Sequence, residues 1–259
     1  MVINGVDTFH NDRGTGRPVL FLHGNPDTAD MWLPVIGGLQ DQARCLAPDL
    51  PGFGRSKAAE SFDCSLDAMA SWVDGFLDAA GVRETVTLVV HDFGGPYGFA
   101  WAVKHPERVA GMVISNTVFF ADYRWHTWAR AWRTPVLGEL SLWGMNWPAY
   151  RSQMKKASPR LTEEQIRHQY SFITSATKKM ILKLYRATDP ENFRDWTPRL
   201  LELLGKVPSR VLWADRDPYI EPHWAERFAG ARITHFAECS HWLPLEEPDA
   251  VAEHVRQLL

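Results

Sequence analysis

The segment VVHDFGGPYG (89–98) places an acidic side chain between a β-branched run and two glycines. Asp92 follows the apolar run, and Gly94 and Gly95 come within three residues of it. Small residues around a sharp strand-to-helix turn allow a strained backbone that lifts the apex side chain clear of the sheet. The positive end of the following helix favours an ionised carboxylate there. The pattern therefore predicts a carboxylate nucleophile at residue 92.

A carboxylate can attack an sp³ carbon without a base, which displaces a leaving group and forms an alkyl ester. Cleavage of that ester requires an activated water and N–H donors for the oxyanion. The predicted base is His241, in ECSHWLPLEEPD, after the last predicted strand. The predicted donors are the backbone N–H groups of Phe93 and of Asn25, which lies in the loop HGNP (23–26). Asn25 could instead simply turn this loop.

The group that orients His241 has two candidates in LWADRDP (212–218). We favour Asp217 over Asp215, because the acid of such a set usually stands a few residues beyond its strand. Asp215 could instead cap or hydrogen-bond the turn. His23 and His91 flank the predicted site and are expected to support loops. No HExxH or CxxC motif is present, so we expect no metal site and no cofactor.

Alternating apolar and helical patterns indicate how these residues are positioned. Strands are predicted within 18–24, 43–56, 85–92, 110–117, 208–218 and 231–242, and helices within 65–82, 95–109, 221–229 and 248–259. This alternation favours a mostly parallel sheet with helices on both faces. Residues 119–204 contain no convincing buried strand and are rich in Trp, Arg and Tyr. We therefore predict a core of residues 1–118 and 205–259, interrupted by a helical cap at 119–204.

The composition narrows the class of partner. The 259 residues carry a net charge of -3, so the charge does not indicate binding to nucleic acid or to an anionic membrane. Three widely separated cysteines predict reduced thiols and a cytoplasmic protein, and no signal peptide or membrane span is expected. The 12 tryptophans suit a core or a pocket for an apolar ligand. We expect a small apolar organic substrate and water as partners, and a monomer or homodimer.

The motifs HGNP, APDLPGFGRS, VVHDFGGP, LWADRDP and SHWLPLEEP follow one another along nearly the whole chain. In this order the sequence resembles the aspartate-nucleophile branch of the α/β-hydrolase fold, which includes haloalkane dehalogenases and epoxide hydrolases. The resemblance implies a helical cap inserted after the sixth strand and the catalytic set Asp92, Asp217 and His241. Asn116 also matches dehalogenases whose acid lies late in the chain, which supports Asp217.

The leading expectation is a haloalkane dehalogenase-like hydrolase, because in that family an Asn in HGNP, here Asn25, donates its side-chain N–H to the halide. The same family carries Trp after the nucleophile, whereas Phe93 has no side-chain N–H. A cap tryptophan would have to replace that donor. The candidates are Trp125, Trp128, Trp143 and Trp147. Each of them could instead serve only to pack the cap on the core.

Epoxide hydrolysis is the alternative, because those enzymes protonate the epoxide oxygen with two cap tyrosines. Tyr185, in LKLYRATDP, matches the second tyrosine, and Tyr150 or Tyr123 could be its partner. Tyr185 could also be a packed aromatic. A ligand-binding protein without catalysis and a cofactor-free oxygenase resembling coelenterazine luciferases are remote alternatives.

Overall fold

A computed structural model describes residues 1–259. The strands are β1 (Val2–Ile3), β2 (Val6–Asp7), β3 (His10–Arg13), β4 (Arg17–Leu22), β5 (Ala43–Pro48), β6 (Val86–His91), β7 (Val109–Ser115), β8 (Ser209–Ala214) and β9 (Arg232–Phe236). Seven of them form one sheet in the order β3-β5-β4-β6-β7-β8-β9, and β1 and β2 form a separate hairpin. Only β3 is antiparallel to its neighbour in this sheet.

The central strands are apolar because helices cover both faces of the sheet. Every residue of β6 is buried, and so is every residue of β4 after Arg17. Parallel strands buried on both faces read as continuous apolar runs rather than as alternating ones. The carboxyl ends of β6, β7 and β8 lie side by side at one edge, which brings together the loops that follow them.

Six helices cover these faces. They are α1 (Leu33–Gly37), α2 (Leu66–Ala79), α3 (Gly94–Lys104), α9 (Thr197–Leu204), α10 (Leu243–Glu246) and α11 (Pro248–Arg256). One of them, α9, lies at the end of residues 119–204, the range predicted as the cap. Ser65 caps α2 by accepting from the Ala68 N–H at 3.2 Å, as its residue type predicts. No helix has a stretch long and apolar enough to span a bilayer.

Five helices lie between β7 and α9. They are α4 (Thr127–Arg133), α5 (Leu137–Trp143), α6 (Trp147–Ala157), α7 (Glu163–Ser171) and α8 (Ser175–Ala187). We use the name cap for residues 119–204, the range that the sequence predicts. Several of these helices begin at a side chain that accepts an N–H of the first turn, as Thr162 does at α7. Such caps specify where a short helix starts.

Three expectations about the elements differ from the structure. The cap follows β7, which is the seventh strand of the chain and the fifth of the large sheet, rather than the sixth, because short N-terminal strands change the count. The helix predicted at 95–109 ends at Lys104, since Pro106 cannot continue it and begins a 3-10 helix. The helix expected near 221–229 is a 3-10 helix, Pro222–Arg227.

Candidate active site

The turn between β6 and α3 is strained and closely packed. Asp92 has a φ of +48°, in the left-handed region that side chains rarely adopt. A Cβ at Gly94 would lie 2.1 Å from the Leu22 carbonyl oxygen, and one at Gly95 would lie 2.0 Å from Thr117 Oγ1. The Thr117 hydroxyl also donates to the Asp92 carbonyl oxygen at 2.6 Å. Both glycines are therefore required by close approach, and the turn presents the Asp92 side chain above the sheet edge.

The Asp92 carboxylate faces the two predicted oxyanion donors. Its Oδ1 accepts from the Asn25 backbone N–H at 2.7 Å, and the adjacent Phe93 backbone N–H also lowers the pKa of the carboxylate. Burial raises the pKa of Asp92, while His241 and these two N–H groups act in the opposite direction. The same N–H groups lie close enough to stabilise negative charge on an ester formed at this carboxylate.

His241 lies between the two carboxylates. Its Nε2 is 3.6 Å from Asp92 Oδ2, and its Nδ1 is 2.7 Å from Asp217 Oδ2. Burial alone would lower the pKa of His241, but Asp217, followed by Asp92 and Asp27, raises it above its usual 6.5. The imidazole is only 2% exposed, so these charges act with little screening by water.

Asp217 is held by groups from two loops. Its Oδ2 also accepts from Asn116 Nδ2 at 2.9 Å, and its Oδ1 accepts from the Tyr219 N–H at 2.7 Å. Asn116 is fixed in turn, because its Oδ1 accepts from the Ala214 N–H at 2.9 Å. Asp215 is directed elsewhere and bonds to His235 on the outer face of β9 at 2.6 Å. The structure therefore brings Asp217, and not Asp215, to His241.

A cavity of about 420 Å³ lies between the core and the cap, with Asp92 and His241 in its wall. Most of its lining is hydrophobic, as expected for an apolar ligand. Of the other residues proposed from the sequence, seven line it: Asn25, Phe93, Tyr123, Trp125, Trp128, Tyr150 and Tyr185. No three His, Cys, Asp or Glu side chains are grouped so that they could hold a metal ion.

Two of the tryptophans proposed for the cavity do not line it. Trp143 is 85% exposed at the end of α5, because the preceding residue, Leu142, faces inward. Trp147 begins α6 and packs on Tyr170, with the Arg167 guanidinium 4.3 Å from its ring centroid. The sequence placed both among aromatic residues but could not indicate which face of each short helix is turned inward.

Trp125 is the cap tryptophan nearest to the predicted nucleophile turn. Its ring stacks on Phe93, with 5.7 Å between ring centroids and 15° between the planes, and its edge meets Tyr185 at 5.1 Å. Its Nε1 is buried and has no hydrogen-bond partner. An unpaired buried N–H loses the hydration it has in water, so an acceptor that reached it from the neighbouring cavity would be stabilised.

The tyrosine hydroxyls near the cavity differ in their partners. Tyr185 accepts from Asn25 Nδ2 at 3.5 Å. Tyr123 donates to the Tyr219 carbonyl oxygen at 3.2 Å, and Tyr150 donates to Gln169 Oε1 at 3.5 Å. Both proposed partners of Tyr185 are therefore already committed to other acceptors.

Several lining residues were not identified from the sequence. They are His126, Trp132, Tyr219 and Trp242 in the cavity wall, with Asp27 and Gln169 directly behind it. Trp242 and Asp27 follow His241 and HGNP directly, so adjacency was an available signal for these two. Nothing in the local pattern of the cap distinguishes His126 or Gln169.

Known proteins that resemble this chain share its fold. The alpha/beta hydrolase fold family matches residues 17–248. A cis-3-alkyl-4-alkyloxetan-2-one decarboxylase of Shewanella oneidensis is 28% identical over 99% of this chain and 86% of its own. Haloalkane dehalogenase 2 of Mycobacterium bovis is 38% identical over 42% of this chain and 38% of its own.

A solved structure shows the same architecture. A haloalkane dehalogenase from Bradyrhizobium elkani has a TM-score of 0.83 at 23% identity, covering 99% of this chain and 95% of that one. At this identity the likeness establishes the fold alone. The family match, however, covers strands β4 to β9, the turn at Asp92 and His241 in one alignment. The chain is therefore an enzyme of the α/β hydrolase fold family.

Proposed function

We propose that this α/β hydrolase cleaves the carbon–halogen bond of a small apolar substrate through a covalent ester on Asp92. The observation that carries the proposal is that Asp92 and His241 lie in the wall of an apolar cavity, with Asp217 bonded to His241 and the Asn25 N–H bonded to the Asp92 carboxylate. This set supplies a nucleophile, a base and an oxyanion hole without any cofactor.

In the first step, Asp92 Oδ2 attacks the carbon that bears the halogen. The new C–O bond forms as the carbon–halogen bond breaks, and the halide leaves with the bonding electron pair. The apolar walls exclude water from the substrate, which leaves the carboxylate as the nearest nucleophile. No proton moves in this step.

In the second step, His241 Nε2 takes a proton from water, and the resulting hydroxide attacks the carbonyl carbon of the Asp92 ester. The negative charge that develops on the ester oxygen is stabilised by the backbone N–H groups of Asn25 and Phe93. Asp217 stabilises the protonated imidazole through Nδ1. Collapse of the intermediate expels the alkoxide, which takes the proton from His241 and leaves as the alcohol. The carboxylic acid left on Asp92 then gives its proton to solvent, so the overall reaction yields alcohol, halide and one proton.

The leaving halide needs hydrogen-bond donors. Phe93 offers none from its side chain. The Trp125 ring stacks on the Phe93 ring, and its indole N–H has no hydrogen-bond partner. Asn25 provides a second donor through Nδ2. We propose that Trp125 replaces the indole donor that dehalogenases resembling this chain carry after the nucleophile.

Epoxide hydrolysis is less well supported by the geometry. It requires two tyrosine hydroxyls free to donate to one oxygen, and both Tyr123 and Tyr150 donate elsewhere. Tyr185 alone keeps a proton that it can donate, because it accepts from Asn25.

A second candidate comes from the relative of Shewanella oneidensis, which matches nearly the whole chain. A cis-3,4-dialkyl oxetan-2-one has a ring oxygen on an sp³ carbon, the same kind of centre that Asp92 would attack in an organohalide. Attack there opens the ring and frees a carboxylate, and loss of CO₂ with departure of Asp92 then gives an alkene. This path consumes no water, so His241 would have no proton to remove.

The deciding experiment measures bromide by ion chromatography after incubation with 1,2-dibromoethane and 1-bromobutane, with Asp92→Ala as the blank. Bromide above the blank is expected. In parallel, a cis-3,4-dialkyl oxetan-2-one is tested for alkene by gas chromatography. Alkene without bromide would replace the first candidate by the second. Neither product from the folded wild type would overturn both.

A further inference from the structure

Behind the cavity wall, a buried carboxyl group joins three parts of the chain that are distant in sequence. Asp27 is 3% exposed and lies directly after HGNP (23–26). Its Oδ2 accepts from Trp242 Nε1 at 2.7 Å and from Gln169 Nε2 at 3.0 Å. Trp242 is next to His241, and Gln169 belongs to cap helix α7. One oxygen therefore connects the oxyanion loop, the histidine loop and the cap.

The connection extends to the cavity on both sides. In the cap, Gln169 Oε1 accepts from the hydroxyl of Tyr150, a lining residue of α6. In the core, the Trp242 ring meets the His241 ring edge-on, with 4.8 Å between centroids. A buried charge is stable only where its hydrogen bonds are all made, so these partners cannot move independently of one another.

We propose, on the basis of the function above, that Asp27 is a positioning residue that couples the seating of the cap to the orientation and charge of His241. With the cap seated, Gln169 and Trp242 both hold the ionised Asp27, and Trp242 fixes the neighbouring imidazole. If α7 lifts, Asp27 loses a donor, and both the position of Trp242 and the field on His241 change.

The charge of Asp27 acts on His241 together with other groups. Burial lowers the pKa of His241, while Asp217, Asp92 and Asp27 raise it. The other titratable groups that face the imidazole are His91, from the end of β6, His126, from the cap, and Tyr219, from the loop after β8. Burial raises the pKa of Asp27 itself to about 6, so its charge is present at neutral pH.

The test uses Asp27→Asn in the full chain, with two readouts. The titration midpoint of the His241 imidazole, followed by NMR, is expected to fall by several tenths of a pH unit or more. Amide hydrogen exchange of α7 is expected to rise about tenfold, because a bond to a buried charge is lost. The plateau kcat is expected to fall while the acid limb of the pH profile moves to lower pH.

Asp30→Asn is the matched control. Asp30 also bonds to α7, through His168 Nε2 at 3.1 Å, but it has no contact with the histidine loop. It should increase exchange in α7 without changing the His241 midpoint. An unchanged midpoint in folded Asp27→Asn, or an equal shift in both variants, would overturn the proposal.

Gln169→Leu serves if Asp27→Asn does not fold. The Gln169 hydrogen bond lowers the pKa of Asp27, so without it Asp27 is less ionised. The titration midpoint of His241 should therefore also fall, by a smaller amount than in Asp27→Asn. No shift in this variant would contradict the coupling. The NMR and exchange readouts need no substrate, so absence of bromide and alkene would count against the proposed function alone.

Discussion

The core and the cap contribute to the cavity in different ways. The core supplies Asp92, His241 and Asp217 from loops at the carboxyl ends of neighbouring parallel strands. The cap supplies mainly aromatic surface, with Trp125 and Tyr185 against Phe93. Loops at the sheet edge position these candidate catalytic groups, whereas short helices provide the walls. We therefore expect changes in the core to stop the chemistry and changes in the cap to alter which substrate is accepted.

The two regions also differ in charge. Residues 119–204 contain 14 Lys and Arg and 8 Asp and Glu, whereas the remainder contains 14 and 23. The net charge of -3 for the whole chain thus conceals a basic cap on an acidic core. Ion pairs join them at their boundary, as between Arg160 and Glu247 or between Arg227 and Asp122. Opposite net charges favour a seated cap, although exposed pairs contribute little individually.

The largest expected effect is in the core. His241→Phe should lower kcat by about 10²- to 10⁴-fold, because the ester forms but no base activates water. Intact-mass spectrometry with 1-bromobutane should show a butyl adduct that accumulates on the protein. The double variant with Asp92→Ala should show no adduct. A variant that turns over normally, or an adduct that persists without Asp92, would contradict the proposed division of roles.

The pH dependence of activity should also reflect a core residue, His241. His241 must be neutral to remove a proton, and its pKa is raised above 6.5. Activity is therefore expected to be full on the alkaline side and to fall about tenfold per pH unit once the pH drops below that raised pKa. Asp217→Asn removes a charge that raises the pKa, so the limb should move to lower pH. An acid limb that Asp217→Asn leaves in place would assign it to another group.

A smaller effect is expected in the cap. Trp125→Phe removes the unpaired indole N–H and should lower kcat/KM for bromoalkanes by about tenfold to a hundredfold. Trp143→Phe is the control, since that ring is 85% exposed and outside the cavity. Equal activity of the two variants would show that Trp125 only packs on Phe93.

Tyr185→Phe should have less effect on bromoalkanes. The donors proposed for the halide are Trp125 and Asn25 rather than the Tyr185 hydroxyl, so bromide release is expected to stay within about threefold of wild type. Styrene oxide turnover, if the wild type shows any, should fall much further. A large loss of bromide release with epoxide turnover intact would reverse the assignment of this residue.

The smallest effect should come from salt. Raising NaCl from 0.05 to 1 M weakens the exposed pairs between cap and core, and amide exchange in α7 and α8 should increase by less than about fivefold. Exchange in α3, beneath the nucleophile turn, should not change. A large increase would mean that charge, rather than apolar packing, holds the cap in place.

Much of the core could be predicted because its signals are local. Apolar runs end at Gly or Asp where strands end, and the glycines after Asp92 reflect a backbone approach that excludes a Cβ. Asp217 could be preferred over Asp215 by its place beyond the strand, and the structure brings it to His241. The short strands β1–β3 were missed, because segments of two to four residues are too short to show a periodicity that indicates a strand.

The sequence by itself determined the fold, the sharp turn at Asp92 and the order of the candidate catalytic residues, since each depends on residue types within a few positions. Only the tertiary structure decided which aromatic residues line the cavity, that Trp143 and Trp147 do not, and that Asp27 connects the cap to the histidine loop. These features depend on how short helices are rotated and on contacts between residues as far apart as Asp27 and Trp242. No local pattern specifies them, because the partners meet only when the cap closes on the sheet.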